Sequence, residues 1–116
     1  MEIKDYKSIK KWFTKHNGKL RYTSQTQERN IKYMRVFCNL LQMTPDELAS
    51  CPSMNEARDI IGSGLERKQL RIYTITSMIN ALNVFWRTNG RTINDVYGGI
   101  RPKLKAKILL REKGSR

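Results

Sequence analysis

The stretch IYTITSMINALNVFWRT, Ile72–Thr88, decides the fold. Ile75, Met78, Ile79, Leu82, Phe85 and Trp86 recur at three- and four-residue intervals, which an α-helix gathers into one broad apolar stripe. Tyr73, Thr76, Ser77, Asn80 and Arg87 fall on the other side, and Asn89-Gly90 supplies the stop. A half-buried strand would need strict alternation, and no segment alternates cleanly over six or more residues. The expected class is therefore all-α.

A second stretch has the same character. Thr23 and Ser24 are N-cap candidates for a helix over Gln25 to Gln42, with Ile31, Met34, Phe37, Cys38 and Leu41 at helical spacing. Its opposite face, Gln25, Glu28, Arg29, Lys32, Arg35 and Asn39, is polar throughout and mostly basic. Shifted by 48 positions, Thr26, Ile31, Val36 and Phe37 coincide with Thr74, Ile79, Val84 and Phe85. Chance likeness between two amphipathic helices and equivalent roles in one fold would both produce that match.

Shorter elements fill the remainder. Tyr6, Ile9, Trp12 and Phe13 share one face of a first helix, Asp5 to His16, stopped by Asn17-Gly18. Thr44-Pro45-Asp46-Glu47 is a helix start: a capping Thr, a Pro in the first turn, and acids at the positive end of the dipole. That short helix reaches about Ser50, and Pro52-Ser53 breaks the chain. The next helix runs from Met54 to Ile61 or Leu65 with Ala57, Ile60 and Ile61 inward, its end left open by Gly62-Ser63-Gly64. Beyond the last long helix the expectations are a single turn over Thr92 to Tyr97 and a linker marked by Gly98-Gly99 and Pro102. Lys103 to Lys113 is expected as a short basic helix without partners, or a flexible segment. Trp12, Phe13, Phe85 and Trp86 lie on apolar faces, so they belong to the core and not to a base-stacking platform.

Charge bounds the function. The chain has 116 residues, enough for one domain, and carries 23 Lys and Arg against 10 Asp and Glu, a net charge of +13 with a pI near 10.2. That imbalance predicts attraction to a polyanion. No apolar run approaches the roughly 20 residues of a spanning helix. Met1 to Lys11 lacks the apolar region of a signal peptide, so the expectation is a cytoplasmic protein with no membrane partner. The charge is also uneven. Met1 to Thr44 nets +7, Pro45 to Glu66 nets −4, and Arg67 to Arg116 nets +10. A compact fold should therefore present a basic side and a side that is not.

Catalytic chemistry has little foothold. The only histidine, His16, sits at an expected helix end, and no Ser or Cys partner pattern accompanies it. Asp46-Glu47 are explained as helix-start charges. Cys38 and Cys51 form neither a disulfide framework nor a CxxC zinc motif. Gly62-Ser-Gly64 is too short for a phosphate loop. No catalytic residue, metal, cofactor or small-molecule substrate is expected of this chain.

The order of elements resembles a known family. The run Tyr22-Thr-Ser-Gln-Thr-Gln-Glu-Arg-Asn-Ile-Lys-Tyr-Met-Arg-Val-Phe-Cys-Asn-Leu-Leu is similar to the capped second helix of the N-terminal core-binding domain of tyrosine recombinases, the phage-type integrases. Thr44-Pro-Asp-Glu-Leu48 resembles that family's continuation, and Arg71 to Trp86 its last core helix. Ile100-Arg-Pro-Lys103 is similar to its exit peptide, so the resemblance covers about Ile9 to Lys103. It implies a four-helix SAM-like bundle over residues 1–100, with an extra short helix. A flexible basic segment, 101–116, would then lead to an absent catalytic domain. It further implies a module that clamps double-stranded DNA beside other recombinase protomers, in a cytoplasmic protein of prokaryotic or viral origin. The strand-breaking Arg, Lys, His-x-x-Arg and Tyr would lie in the other half. A stand-alone helical regulator or chromatin-type protein is the alternative, and a protein–protein adaptor the third reading.

The residues expected on DNA follow from the polar faces. They are Gln25, Gln27, Arg29, Lys32 and Arg35 in the second helix, and Arg67, Lys68, Arg71, Tyr73, Thr76, Ser77 and Asn80 along the last long helix and its approach. Lys and Arg meet phosphates and release counterions. Hydroxyls and helix N-terminal N–H groups bond phosphate oxygens. Gln25, Gln27 and Asn80 carry amides that fit an adenine edge.

Overall fold

The computed structural model describes residues 2–15, 17–93 and 102–114. Within them lie six helices: α1 (Lys7–Phe13), α2 (Ser24–Leu41), α3 (Pro45–Ala49), α4 (Met54–Arg67), α5 (Ile72–Thr88) and α6 (Pro102–Gly114). A 3-10 turn, Ile3–Asp5, precedes α1. Among the described residues there is no strand, only an isolated bridge between Thr14 and Leu20. The all-α expectation holds.

Helix starts follow the local chemistry. Thr23 caps α2 by accepting from the Thr26 N–H at 3.3 Å. Thr44 and Glu47 form a reciprocal capping box on α3. Tyr6, at the N-cap of α1, offers no side-chain acceptor. Asp46 supplies one from α3: its Oδ1 accepts from the Ser8 N–H at 3.0 Å and the Ser8 hydroxyl at 2.6 Å. Asp46 is thus a helix-start charge, but for α1 as much as for α3.

The core is aromatic at its centre. Trp12, Phe37, Phe85 and Trp86 are all fully buried. The Trp12 ring lies 5.3 Å from those of Phe13 and Phe85, tilted on one and edge-on to the other. Burying an apolar side chain of this size stabilises by about 1.5–3 kcal/mol. Trp86 Nε1 donates to Leu48 O at 2.8 Å, so burial does not cost the indole its hydrogen bond. Three of the four pairs matched at 48 residues have like environments: Phe37 and Phe85 are both excluded from solvent, Val36 and Val84 are both half-buried, and so are Thr26 and Thr74, whereas Ile31 is half-buried and Ile79 buried.

Four expectations are corrected. Helix α1 ends at Phe13, because the chain turns into a short hairpin: Lys15 N donates to Lys19 O and Arg21 N to Phe13 O. His16 itself lies outside the described residues. Helix α4 continues through Gly62-Ser63-Gly64 to Arg67. The glycines admit neighbours instead of ending the helix: a Cβ on Gly64 would stand 2.6 Å from Leu40 Cδ2, and one on Gly62 2.9 Å from Leu104 Cδ2. Ile60, expected inward, is 42% exposed while Ala57 and Ile61 are buried, because the helix turns a narrower face to the core.

The fourth correction concerns the C-terminal segment. Residues 102–114 form a helix with partners, packed on α4 and α5. Ile108 is fully buried, Arg111 donates to Glu66 O at 2.9 Å and to Leu70 O, and Glu112 accepts from the Ile72 N–H at 2.8 Å. The turn expected over Thr92 to Tyr97 lies largely outside the described residues, as does Gly98-Gly99.

Candidate nucleic-acid interface

The exposed side of α2 is set by its capped start and buried Met34 and Phe37. Opposite them run Gln25, Glu28, Arg29, Lys32, Arg35 and Asn39, all exposed, a stripe about 21 Å long at 1.5 Å per residue. Three cations and one carboxylate lie on it. The Arg29 guanidinium stands 5.5 Å from the centroid of the Tyr33 ring, one turn on, which steadies it at the surface. Gln27 departs from the expected pattern. It is half-buried, and its Nε2 donates to Tyr22 O at 3.1 Å, so part of its amide serves the start of α2.

The second set begins at the α4–α5 connection. Arg67 and Lys68 are exposed at the end of α4, Gln69 turns the chain at φ 61°, and Arg71 is the exposed N-cap of α5. Tyr73 follows, 81% exposed. Thr76 and Asn80 are exposed on the same face, and Ser77 is half-buried beside them. Arg67, Lys68, Arg71 and Tyr73 thus cluster at one tight turn, with Thr76, Ser77 and Asn80 leading along α5. The two sets sit on different helices that pack against one another. The first N–H of α5 is already engaged: Ile72 donates to Glu112 of α6 and not to a phosphate oxygen.

Several cations serve the fold, which sequence alone did not separate from the rest. Arg58 is buried, bonded to Asn83 Oδ1 at 3.0 Å and to Asn55, with its guanidinium 5.5 Å from the Trp86 ring centroid. Arg91 donates to Ala49 O and Cys51 O at 2.9 and 2.7 Å. The acids of the middle segment are similarly engaged. Asp46 and Glu47 cap helices, and Glu66 pairs with Lys107 and Arg111 of α6, at 3.5 Å each. Their negative charge is partly answered within the fold.

Protonation states follow from these contacts. The Ser8 hydroxyl and N–H, with Lys7 and Lys11 nearby, hold the Asp46 carboxyl below its ordinary range. Burial, helped by Glu47, pushes the Cys38 thiol up to about 11. Burial also raises Cys51. Both thiols are therefore protonated at neutral pH and are poor nucleophiles.

Sequence reasoning missed one basic grouping. Lys10, Lys11, Thr14, Lys15, Arg21, Arg87 and Thr88 line a single groove where α1 and α5 end together. The signal was spread over 79 positions, and the expected extension of α1 to His16 hid the hairpin that brings Lys15 and Arg21 to it. Comparisons with protein-family models, with curated proteins and with solved structures gave no match. Among the described residues, no helix is long and apolar enough to cross a membrane.

Proposed function

We propose that this chain binds duplex DNA through the exposed stripes of α2 and α5, as the DNA-clamping module of a tyrosine-type site-specific recombinase. The observation that carries the reading is the α2 stripe, with Arg29, Lys32 and Arg35 on one exposed face of a chain whose net charge is +13. Cations in a row at helical spacing meet successive phosphates, and each pairing releases condensed counterions. The α5 stripe adds Thr76, Ser77 and Asn80, groups able to bond phosphate oxygens and base edges. The recombinase assignment rests on the resemblance in sequence and element order. The all-helical fold is consistent with it, and a stand-alone helical DNA-binding protein is the alternative.

Titration of duplex DNA at several salt concentrations tests the binding. Log affinity should fall linearly with log salt, by about 0.9 for every phosphate neutralised. Absence of binding at low salt would sink the proposal. Methylating guanine N7 in the duplex tests the approach: a clamp entering the major groove should be hindered by it. Charge reversal at Arg29 and Lys32 should weaken binding. Glu56, exposed in the first turn of α4, is a cleaner acidic control than Asp46, which holds the start of α1.

A further inference from the structure

We propose that the groove between the C-terminal ends of α1 and α5 is a second phosphate-binding site, which grips the backbone strand bordering the major groove that α5 faces. The inference rests on the duplex-DNA reading above and adds a separate point of attachment to it.

The groove has a volume of about 620 Å³ and no acidic residue in its lining. Lys10 and Lys11 come from the last turn of α1, Lys15 and Arg21 from the hairpin after it, and Arg87 from the last turn of α5. The Thr14 and Thr88 side chains complete the wall. Lys10, Lys11, Lys15 and Arg87 are exposed, and none of the five cations forms an ion pair among the described residues. Arg21 is half-buried, and its Nε donates to Trp12 O at 3.2 Å, fixing the guanidinium at the groove wall. Asp46, which feels Lys7 and Lys11, lines the neighbouring cavity and not this groove.

The ordinary role of such cations is to complement helix dipoles, and magnitude decides against that role alone. A helix C-terminus presents about −0.5 charge. Two such ends offset about one of the five cations, leaving a strong local excess of positive charge. Mutual repulsion of that size in one groove favours a resident anion, and several charged or hydroxyl donors converging on one place suit a phosphodiester oxygen.

Position gives the ligand its identity. Arg87 lies on the same exposed side of α5 as Thr76 and Asn80, seven residues beyond the latter. That separation is about 10 Å along the helix axis. The major groove is about 12 Å wide. With Asn80 at base edges and α5 laid across the groove, the α1–α5 groove would stand over the strand that bounds them.

Two measurements on the full chain test the site. In the first, lysine acetylation of the wild-type protein is followed by mass spectrometry with and without saturating duplex. Lys10, Lys11 and Lys15 should each become several-fold less reactive on DNA. This readout does not depend on any variant folding. In the second, the triple variant Lys10→Ala, Lys15→Ala, Arg87→Ala is titrated with duplex across salt. Its slope of log affinity against log salt should be shallower than wild type by about 0.9 for each phosphate that the variant leaves unneutralised. If the wild type binds duplex with a steep salt dependence while the groove lysines stay fully reactive, the second site is overturned and the duplex reading stands. An unchanged slope in the variant overturns it equally. If the wild type fails to bind duplex at low salt, the underlying reading falls and this inference with it.

Discussion

Helix α2 exposes Arg29, Lys32 and Arg35 along one stripe, whereas the corresponding stripe of α5 carries Tyr73, Thr76, Ser77 and Asn80, with no charged residue between Arg71 and Arg87. On their buried sides the two helices share a local match, Phe37 with Phe85, each fully excluded from solvent, and Val36 with Val84, each half-buried, although α5 buries far more of its length than α2. A shared need to fill one core accounts for the likeness, and says nothing about the difference outside. On the proposed reading the α2 stripe supplies non-directional attraction to phosphate, and the α5 stripe supplies short, directional donors and acceptors.

The likeness breaks first if the two phenylalanines are unequal. Phe37→Ala and Phe85→Ala should each lose about 3–5 kcal/mol, the usual cost of truncating a buried ring. Urea unfolding measures both. Domains of this kind are stable by about 5–15 kcal/mol in all, so either variant should be near its limit. A loss under about 1 kcal/mol at one position only would show that the two matched rings are not equivalent in the core.

A smaller effect separates the helices by their neighbours. Leu40 of α2 lies over Gly64 of α4; the corresponding α5 residue is Thr88, whose hydroxyl bonds Phe85 O in its own last turn. Gly64→Ala places a methyl 2.6 Å from Leu40 Cδ2. Overpacking costs about 1–3 kcal/mol. The gain in helix propensity returns about 1 kcal/mol. A net loss of up to about 2 kcal/mol is expected in thermal unfolding, and a smaller loss for Gly64→Ala in a Leu40→Ala background than in the wild type would place the strain between α2 and α4.

The two long helices were legible in the sequence because each repeats its apolar residues over four to five turns. Ile72–Thr88 was read to the residue, and the twelve expected DNA-binding residues lie on α2, on α5 or at the α4–α5 turn. Legibility failed where a neighbour decides. Gly62 and Gly64 punctuate an isolated chain but serve a close helix approach here. Helix α6 has only a weak apolar stripe, so nothing local announces that Leu104, Ile108, Arg111 and Glu112 all find partners on α4, α5 and the turn between them. A count of charge does not separate surface cations from Arg58, Arg91 and Arg111, which are occupied within the fold and were not among the residues expected on DNA.

Asp46 gives a charge change that does not pass through either stripe. Asp46→Asn keeps an oxygen that can accept from Ser8 and removes only the charge at the helix start, so it should cost about 0.3–1 kcal/mol at neutral pH. The folded carboxyl is held below its ordinary range by Ser8. Its contribution is therefore complete above the unfolded-state value and is lost as pH falls through the folded one. The gap in melting temperature between wild type and variant should be constant near pH 7 and close below about pH 4. A gap that keeps its full neutral-pH size however far the pH falls below the unfolded-state value would mean that the interaction does not depend on ionised Asp46.

The smallest effect bears most directly on the difference between the stripes. Thr76→Val keeps shape and removes one hydroxyl from an exposed position on α5. A neutral hydrogen bond contributes about 0.5–1.5 kcal/mol, so duplex affinity should fall by no more than that. The variant keeps every cation, so the dependence on salt should not change. Lys32→Gln on α2 is the counterpart, and should flatten the slope of log affinity against log salt by about 0.9. Fluorescence anisotropy at four or more salt concentrations resolves slope from intercept. A changed slope in Thr76→Val, or an unchanged one in Lys32→Gln, would reverse the division of labour. If both variants shift only the intercept, Lys32 does not touch phosphate, and the salt-dependent grip must come from the other α2 cations, the α4–α5 turn or the groove at the far end of α5.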